Sequence, residues 1–134
     1  MKKCILDTSV WIAYLHKQDS CHEKAKILFK KIGNSKIVMN QVIFSEIIFT
    51  LKKLNYKKET IIELLYSIRK KYKFEIDHST AKNFTQNRVV KLIFDSKFQV
   101  QDLFILLFAI ENKNYIFYTY DIHLRKNYEK ETNI

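Results

Sequence analysis

The chain has 134 residues, of which 47% are hydrophobic and 14% aromatic, so it is too apolar for a disordered protein and long enough to bury one core. Its formal net charge of +10 favours a polyanionic partner, nucleic acid before an anionic membrane, although a lysine-rich proteome would produce the same bias. Two cysteines do not make a disulfide framework, and the sequence shows neither a signal-peptide pattern nor an apolar run of membrane length. We therefore expect a reduced, cytoplasmic protein with a single domain over residues 1–134.

Strands and helices alternate along the predicted chain, with periodicity and polar breaks setting the boundaries because there is one glycine and no proline. The predicted strands are Lys3–Leu6, Lys36–Met39, Phe74–Ile76 and Tyr115–Tyr118. The predicted helices are Ser9–His16, His22–Ile32, a helix capped by Asn40 and running to Leu54, Lys58–Lys71, a helix capped by Ser79 or Thr80 and running to Phe94, Gln101–Asn112, and a short helix from Ile122. This alternation predicts an α/β fold with a parallel sheet flanked by helices.

Four carboxylates differ from the other acids in position, namely Asp7, Glu46, Asp102 and Asp121. Asp7 and Asp121 each come at or just past the end of a predicted strand, where ligands bind to parallel sheets. Glu46 and Asp102 interrupt apolar helical faces, where a carboxylate is costly to bury unless it is paired or metal-bound. The sequence therefore predicts that the four acids serve one site.

Each acid also has a purely structural interpretation. Asp7 and Asp121 could cap helices, and Asp102 could be a first-turn acid favoured by the helix dipole. Glu46 could pair with Lys52 or Lys53 across a loop, but neither lysine is assigned to its own helical face. The sequence leaves both interpretations open for each position.

Clustered carboxylates repel each other, by roughly 4 kcal/mol per pair at about 4 Å in an effective dielectric near 20. Divalent cations, shared protons or basic side chains must offset that repulsion. Hard oxygen ligands without histidine or cysteine favour Mg²⁺ or Mn²⁺, which activate water and stabilise charge on a phosphodiester. Combined with the basic remainder of the chain, these acids predict hydrolysis of RNA.

Four motifs, in order and with the expected spacing, resemble those of one family. They are LDTSVWI at residues 6–12, SE at 45–46, QD at 101–102 and YTYD at 118–121. The chain resembles PIN-domain ribonucleases over nearly its whole length, and most closely the small VapC-like toxins of type II toxin–antitoxin pairs.

The resemblance implies a three-layer α/β/α sandwich with a mostly parallel sheet, an Mg²⁺- or Mn²⁺-dependent endoribonuclease, a homodimer, and a small antitoxin that covers the acidic crevice. By position, Asp7, Glu46, Asp102 and Asp121 would be the catalytic and metal-binding residues, with Ser9 and Thr119 as supporting hydroxyls. Two segments depart from the family pattern. The bulky Val100 and Gln101 precede the third acid, and residues 122–125 replace the start of a final strand, so a fifth strand is in doubt.

Basic residues cluster in the predicted helical hairpin and are candidates for RNA binding: Lys52, Lys53, Lys57, Lys58, Arg69, Lys70 and Lys71. Solvated helix ends would explain the same pattern. Tyr56, Tyr66 and Tyr72 are candidates for base stacking, with packing at least as plausible for Tyr66. Apolar residues of the hairpin are candidates for a dimer contact, and His123 is expected to be an exposed loop residue.

Three other functions compete with a ribonuclease toxin. A housekeeping PIN-type RNA-processing nuclease would share the site, although the small size and the lack of an appended RNA-binding module favour the toxin. A non-catalytic basic RNA-binding domain would use the acids only as caps. A phospho-acceptor signalling domain lacks the required acidic pair, since Thr8 follows Asp7.

Overall fold

A computed structural model describes residues 2–77, 86–95 and 99–132. The strands are β1 (Lys3–Leu6), β2 (Lys36–Asn40), β3 (Phe74–Asp77) and β4 (Ile116–Tyr118). The helices are α1 (Thr8–Leu15), α2 (His22–Ile32), α3 (Gln41–Lys53), α4 (Lys58–Lys71), α5 (Gln86–Asp95), α6 (Val100–Glu111) and α7 (Ile122–Thr132). None of the described helices combines the length and the apolar character that crossing a membrane requires.

The four strands form one sheet in the order β3-β2-β1-β4, and every pairing is parallel. The predicted α/β fold is therefore confirmed, with a sheet that is entirely parallel over the described residues. The chain proceeds from β1 outward to β2 and β3, and then returns to place β4 on the other side of β1. This reversal makes the carboxyl ends of β1 and β4 the switch point at which ligands bind to such sheets.

The main core lies along β1 and β2, whose central residues are buried on both faces, as expected for inner parallel strands. Trp11 of α1 and Phe29 of α2 are fully buried and meet edge to face, with ring centroids 5.3 Å apart. The Cys4 thiol is buried within β1, and this burial raises its pKa to about 11. The core thus fixes the strand ends from which the acids project.

Most predicted boundaries agree with the structure to within one residue, and the polar breaks have the expected causes. The Asn40 side chain caps α3 by accepting a hydrogen bond from the Ile43 amide at 2.9 Å. Gly33 follows α2 with a φ of 55°, and Asn55 follows the end of α3 with a φ of 68°. These positive φ values explain why glycine and asparagine stand at the two breaks.

The structure tests the predicted end of the fifth helix and the predicted seventh helix, but not the start of the fifth. Ser79 and Thr80, the predicted caps, lie outside the described residues, whereas α5 ends at Asp95, one residue beyond the predicted end. Residues 122–132 form α7, so the predicted short helix is confirmed and no strand follows Asp121 within the described residues.

Candidate active site

The carboxyl ends of β1 and β4 hold Asp7 in a network of hydroxyls. Asp7 is only 4% exposed, and one carboxylate oxygen, Oδ2, accepts hydrogen bonds from Ser9 Oγ and Thr119 Oγ1, each at 2.8 Å. The two hydroxyls in turn accept hydrogen bonds from backbone amides: Ser9 Oγ from the Tyr120 amide at 3.1 Å and Thr119 Oγ1 from the Asp121 amide at 3.0 Å. We call Asp7, Ser9, Thr119 and Asp121 the strand-end wall.

The helix-capping interpretation holds for one aspartate of this wall and not for the other. Asp121 Oδ1 accepts a hydrogen bond from the Leu124 amide at 3.1 Å, so Asp121 caps α7 while its side chain remains only partly buried. Asp7 stands at the N-cap position of α1 but makes no side-chain capping hydrogen bond. Capping therefore accounts for one role of Asp121 and fails to explain Asp7.

Glu46 of α3 and Asp102 of α6 face the same region from two helices, and we call this pair the helical wall. Asp102 lies in the first turn of α6, where the helix dipole favours an acid, and both side chains are partly buried. The buried Thr8 hydroxyl approaches Glu46 closely enough to lower the pKa of that carboxyl. It nevertheless forms no well-aligned hydrogen bond, which leaves Thr8 Oγ1 without a partner among the described residues.

The electrostatics of the acids show that they share one environment. Burial raises the pKa of Asp7, while the Ser9 and Thr119 hydroxyls lower it. The pKa of Glu46 is raised first by burial and then by the charges of Asp7 and Asp102. Burial, Asp121 and Asp7 together raise the pKa of Asp102. Glu46 and Asp102 therefore ionise against the charge of other acids, which is the repulsion that the sequence predicts.

All four predicted acids line a single cavity of about 450 Å³. The same cavity includes a fifth acid, Asp19, in the α1–α2 connection, together with Cys21, whose amide donates to Asp19 Oδ1 at 2.8 Å. Sequence reasoning missed Asp19 because it lies in a polar loop with no periodic apolar neighbours. Thr8 was missed as well, since a threonine that begins a helix has no distinguishing pattern.

A family model for the PIN domain matches residues 4–130 of the chain. The chain belongs to the PIN domain family. No curated protein matches it in sequence. PIN domains are generally metal-dependent nucleases that act on RNA, so this PIN domain has a nuclease-type function.

The donor chemistry of the cavity suits a hard divalent cation, because its acids offer carboxylate oxygens and Thr8 Oγ1 is an unsatisfied oxygen beside them. The potential ligand side chains are further apart than in a site that already surrounds an ion. Over residues 2–77, 86–95 and 99–132, no three histidine, cysteine or acidic side chains are close enough together to hold one ion. The chemistry thus fits a metal, and the carboxylates would have to approach each other to share it.

His123 lies in the first turn of α7, so its expected place in a loop is wrong, although its predicted exposure is right. Its charge lowers the pKa of Asp102, which places the imidazole close to the helical wall. Val100 and Gln101, the bulky pair before Asp102, are both exposed.

The predicted RNA-binding residues are all exposed, but they form two separate groups. The lysines at positions 52, 53, 57 and 58 lie where α3 ends and α4 begins, whereas the basic residues 69–71 form the last turn of α4. Because α4 has 14 residues, roughly 20 Å of helix separates the groups. The hairpin therefore does not present one continuous basic patch.

Lys53 is the member of these groups that lies nearest to the acids. It lies two helical turns beyond Glu46, on the same face of α3, and its charge lowers the Glu46 pKa. The expectation that Lys53 is off this face was wrong, since residues i and i+7 lie on one side of a helix. Lys71 instead lines a different cavity beside Tyr14, on the far side of the hairpin.

Of the three predicted stacking tyrosines, Tyr56 and Tyr72 are partly buried and Tyr66 is exposed, which is the reverse of the expectation from sequence. Tyr56 is held by a 2.9 Å hydrogen bond to His16 Nδ1, and Tyr72 packs edge to face on Phe29 at 5.1 Å. Tyr66, for which packing seemed at least as plausible, is 62% exposed. Packing against the core therefore decides which aromatic rings remain accessible.

The apolar residues of the hairpin mostly belong to the core and not to a free surface. Ile47, Leu51 and Ile68 are buried, and Ile48, Leu64 and Leu65 pack against the core. Phe49 and Ile62 are exceptions, with 63% and 56% of their surfaces exposed, and Leu54 between the two helices is 38% exposed. Other large apolar side chains are exposed on α5 and α6, namely Val90, Ile93, Phe94, Val100 and Phe104.

Proposed function

We propose that this PIN domain is an Mg²⁺- or Mn²⁺-dependent endoribonuclease that acts as the toxin of a toxin–antitoxin pair. One observation carries the nuclease part of the proposal. Four carboxylates from four different elements line one cavity at the switch point of a parallel sheet, in a chain whose net charge is +10. A basic protein with a concentrated acidic cavity suits a polyanionic substrate whose cleavage requires a cation.

Asp7, Glu46, Asp102 and Asp121 would hold the cation. Bound there, the cation would supply an activated water and stabilise the charge that develops on the phosphodiester. The hydroxyls of Ser9 and Thr119 lower the pKa of Asp7 against the larger effect of burial, and their hydrogen bonds fix the orientation of its carboxyl group. One oxygen of Asp7, Oδ2, accepts both hydroxyl hydrogen bonds, and the backbone amides of Thr8 and Ser9 also lower the pKa of this carboxyl.

Asp7→Asn provides a specific test, because the amide oxygen can accept the same two hydroxyl hydrogen bonds while the charge is lost. We expect purified wild type to cleave total RNA in Mn²⁺ or Mg²⁺ and to stop in chelator, and Asp7→Asn to be inactive yet folded. Glu59→Gln, at an exposed position of α4, is the matched control and should remain active. Cleavage by wild type and Asp7→Asn at equal rates would refute the site.

The toxin role depends on the resemblance of the four motifs to VapC-like proteins. We expect expression of the wild type to arrest growth, and co-expression of a small protein encoded beside it to relieve the arrest. Expression of Asp7→Asn at the same level should be harmless. Normal growth with an active wild-type enzyme would favour a housekeeping RNA-processing nuclease.

Three further parts of the proposal concern the surface and the compartment. The exposed lysines around Lys53 would contact RNA phosphates, and loss of RNA binding in raised salt would support this.

Exposed apolar residues on α5 and α6 support a homodimer, and we expect Phe94→Glu to yield a monomer in light scattering. Two free cysteines agree with a reducing, cytoplasmic location.

A further inference from the structure

A second cavity of about 630 Å³ adjoins the acid cavity and shares Glu46 and Thr50 with it. It opens between α3 and the start of α6, and the side chains relevant to recognition are Gln41, Phe49, Lys53, Gln99 and Gln101. Its volume is within the range of cavities that bind small organic groups. A group seated in it would lie directly beside the carboxylates.

Phe49 gives this cavity an accessible aromatic ring. It lies one turn beyond Glu46 on α3 and is 63% exposed, whereas its neighbours Ile47 and Leu51 are buried in the core. An exposed phenylalanine beside an acidic cavity adds nothing to core packing. Its flat face is, however, suited to stacking on an unpaired base.

Three glutamines place amide groups around the same space. Gln99 and Gln101 are exposed at the start of α6, and Gln41 begins α3. An amide both donates and accepts hydrogen bonds, so it can pair with the edge of a nucleobase, which a lysine or a carboxylate cannot do alone. Gln101 directly precedes Asp102, so a base contacted by Gln101 would be held close to the helical wall.

The two sides of the second cavity are tied together by Asn40. While its Oδ1 accepts from the Ile43 amide in α3, its Nδ2 donates to the Phe104 carbonyl oxygen in α6 at 3.4 Å. Lys53 adds a positive charge to the α3 side. The cavity therefore combines a stacking ring, polar amides and one cation on a scaffold that the core holds in place.

We propose that the second cavity binds one nucleobase of single-stranded RNA next to the bond that is cut, with Phe49 stacking on the base and the glutamines reading its edge. The inference rests on the proposed ribonuclease function and adds a base-recognition cavity beside the carboxylates. A duplex would not fit, because its bases are already stacked and paired.

The test compares Phe49→Ala and Gln101→Ala with two control variants of matched type. Ile27→Ala removes a large apolar side chain of similar exposure (69%) from α2, and Gln18→Ala removes an exposed amide from the α1–α2 connection. A random-sequence RNA pool is cleaved, and the bases that flank each cut are identified by sequencing. KM and kcat are then measured on the preferred oligonucleotide.

We expect Phe49→Ala to raise KM about 5- to 150-fold with kcat little changed, because stacking is lost while the acids remain. Gln101→Ala should reduce the preference for the flanking base by about 5- to 150-fold. The two control variants should behave as wild type, and thermal melting should show that all four are folded. Equal behaviour of Phe49→Ala and Ile27→Ala would overturn the inference.

Binding without cleavage separates this inference from the nuclease proposal. Four labelled homo-oligonucleotides are titrated in chelator, and we expect wild type to prefer one of them and Phe49→Ala to lose that preference. This result without any cleavage would support the cavity and refute the nuclease. Wild type that neither binds nor cleaves RNA would refute both. Dissociation of a dimer by Phe49→Ala, with base preference intact, would assign Phe49 to a protein contact and overturn the inference.

Discussion

The two walls of the acid cavity are held in different ways. In the strand-end wall, hydroxyls fix Asp7, and these hydroxyls are in turn held by backbone amides that follow β4. In the helical wall, Glu46 and Asp102 are positioned by the packing of α3 against α6. The charges of nearby acids raise the pKa of both carboxyls, in addition to the effect of burial. One wall is thus preorganised by hydrogen bonds, whereas the other is expected to respond to a cation.

This difference leads to a division of work within the proposed mechanism. A ligand that is already oriented binds a cation without reorganisation, which is the condition for strong electrostatic stabilisation. The helical wall would complete the site by approach of Glu46 and Asp102, since no three acids in the described ranges are close enough together to hold one ion. The predictions below test each wall separately.

The largest effect is expected when the helical wall loses a charge. Glu46→Gln and Asp102→Asn should each lower the rate of RNA cleavage by about 10²- to 10³-fold, as removal of one group that stabilises transition-state charge commonly does. The measurement is the initial cleavage rate in Mn²⁺, and Glu59→Gln is again the control. A rate close to wild type in both variants would confine the chemistry to the strand-end wall.

A second, smaller effect concerns the hydroxyls of the strand-end wall. Thr119→Val removes a donor to the buried Asp7 carboxylate and an acceptor for the Asp121 amide, so we expect a loss of about 2 kcal/mol in the free energy of unfolding. Ser9→Ala should behave similarly. Thr60→Val, at an exposed position of α4, should be nearly neutral.

A double-mutant cycle shows whether the loss comes from Asp7. In an Asp7→Ala background, Thr119→Val should cost less, because no charge is left to satisfy. The measurement is urea denaturation of the four proteins. If the two changes are additive, the hydroxyl stabilises the β4 turn and does not hold the carboxylate.

The strand-end wall was more predictable from sequence than the cavity as a whole. A buried strand that ends in Leu6-Asp7 carries its own signal, and the strand register then places Thr119 beside Asp7, since Leu6 pairs with Tyr118. Asp19 could not be found in this way, because its place in the cavity depends on the path of a loop. The fates of Tyr56, Tyr66 and Tyr72 depend on tertiary packing, which overrides local pattern.

The helical face of Glu46 extends further than its nearest neighbours in the sequence indicate. The residues three and four positions away cover only the adjacent turns, so they do not include Lys53, which lies two turns away on the same face. The same stripe of α3 continues through Phe49 and leads to the second cavity. Counting a full two turns would have connected the acid, the lysine and the exposed ring.

The smallest effect is a dependence of stability on pH that runs opposite to that of an ion-paired acid. The folded-state pKa values of Asp7, Glu46 and Asp102 are raised from ordinary values of 3.8, 4.5 and 3.8, mainly by burial. Below those ordinary values the carboxyls are protonated in both states and carry no penalty. As pH rises through the raised folded-state values, each must ionise inside the protein, so stability falls.

Asp7→Asn should therefore be more stable than wild type at neutral pH, by on the order of 1 kcal/mol, while the difference should vanish near pH 3. Asp102→Asn should show a smaller gain, because its carboxyl is more exposed and water screens its charge. Urea denaturation in chelator across this pH range measures both differences. A variant that loses activity and gains stability would show that the fold tolerates its acids for a purpose other than stability, whereas an Asp7→Asn protein less stable than wild type at neutral pH would show that the hydroxyl network outweighs burial.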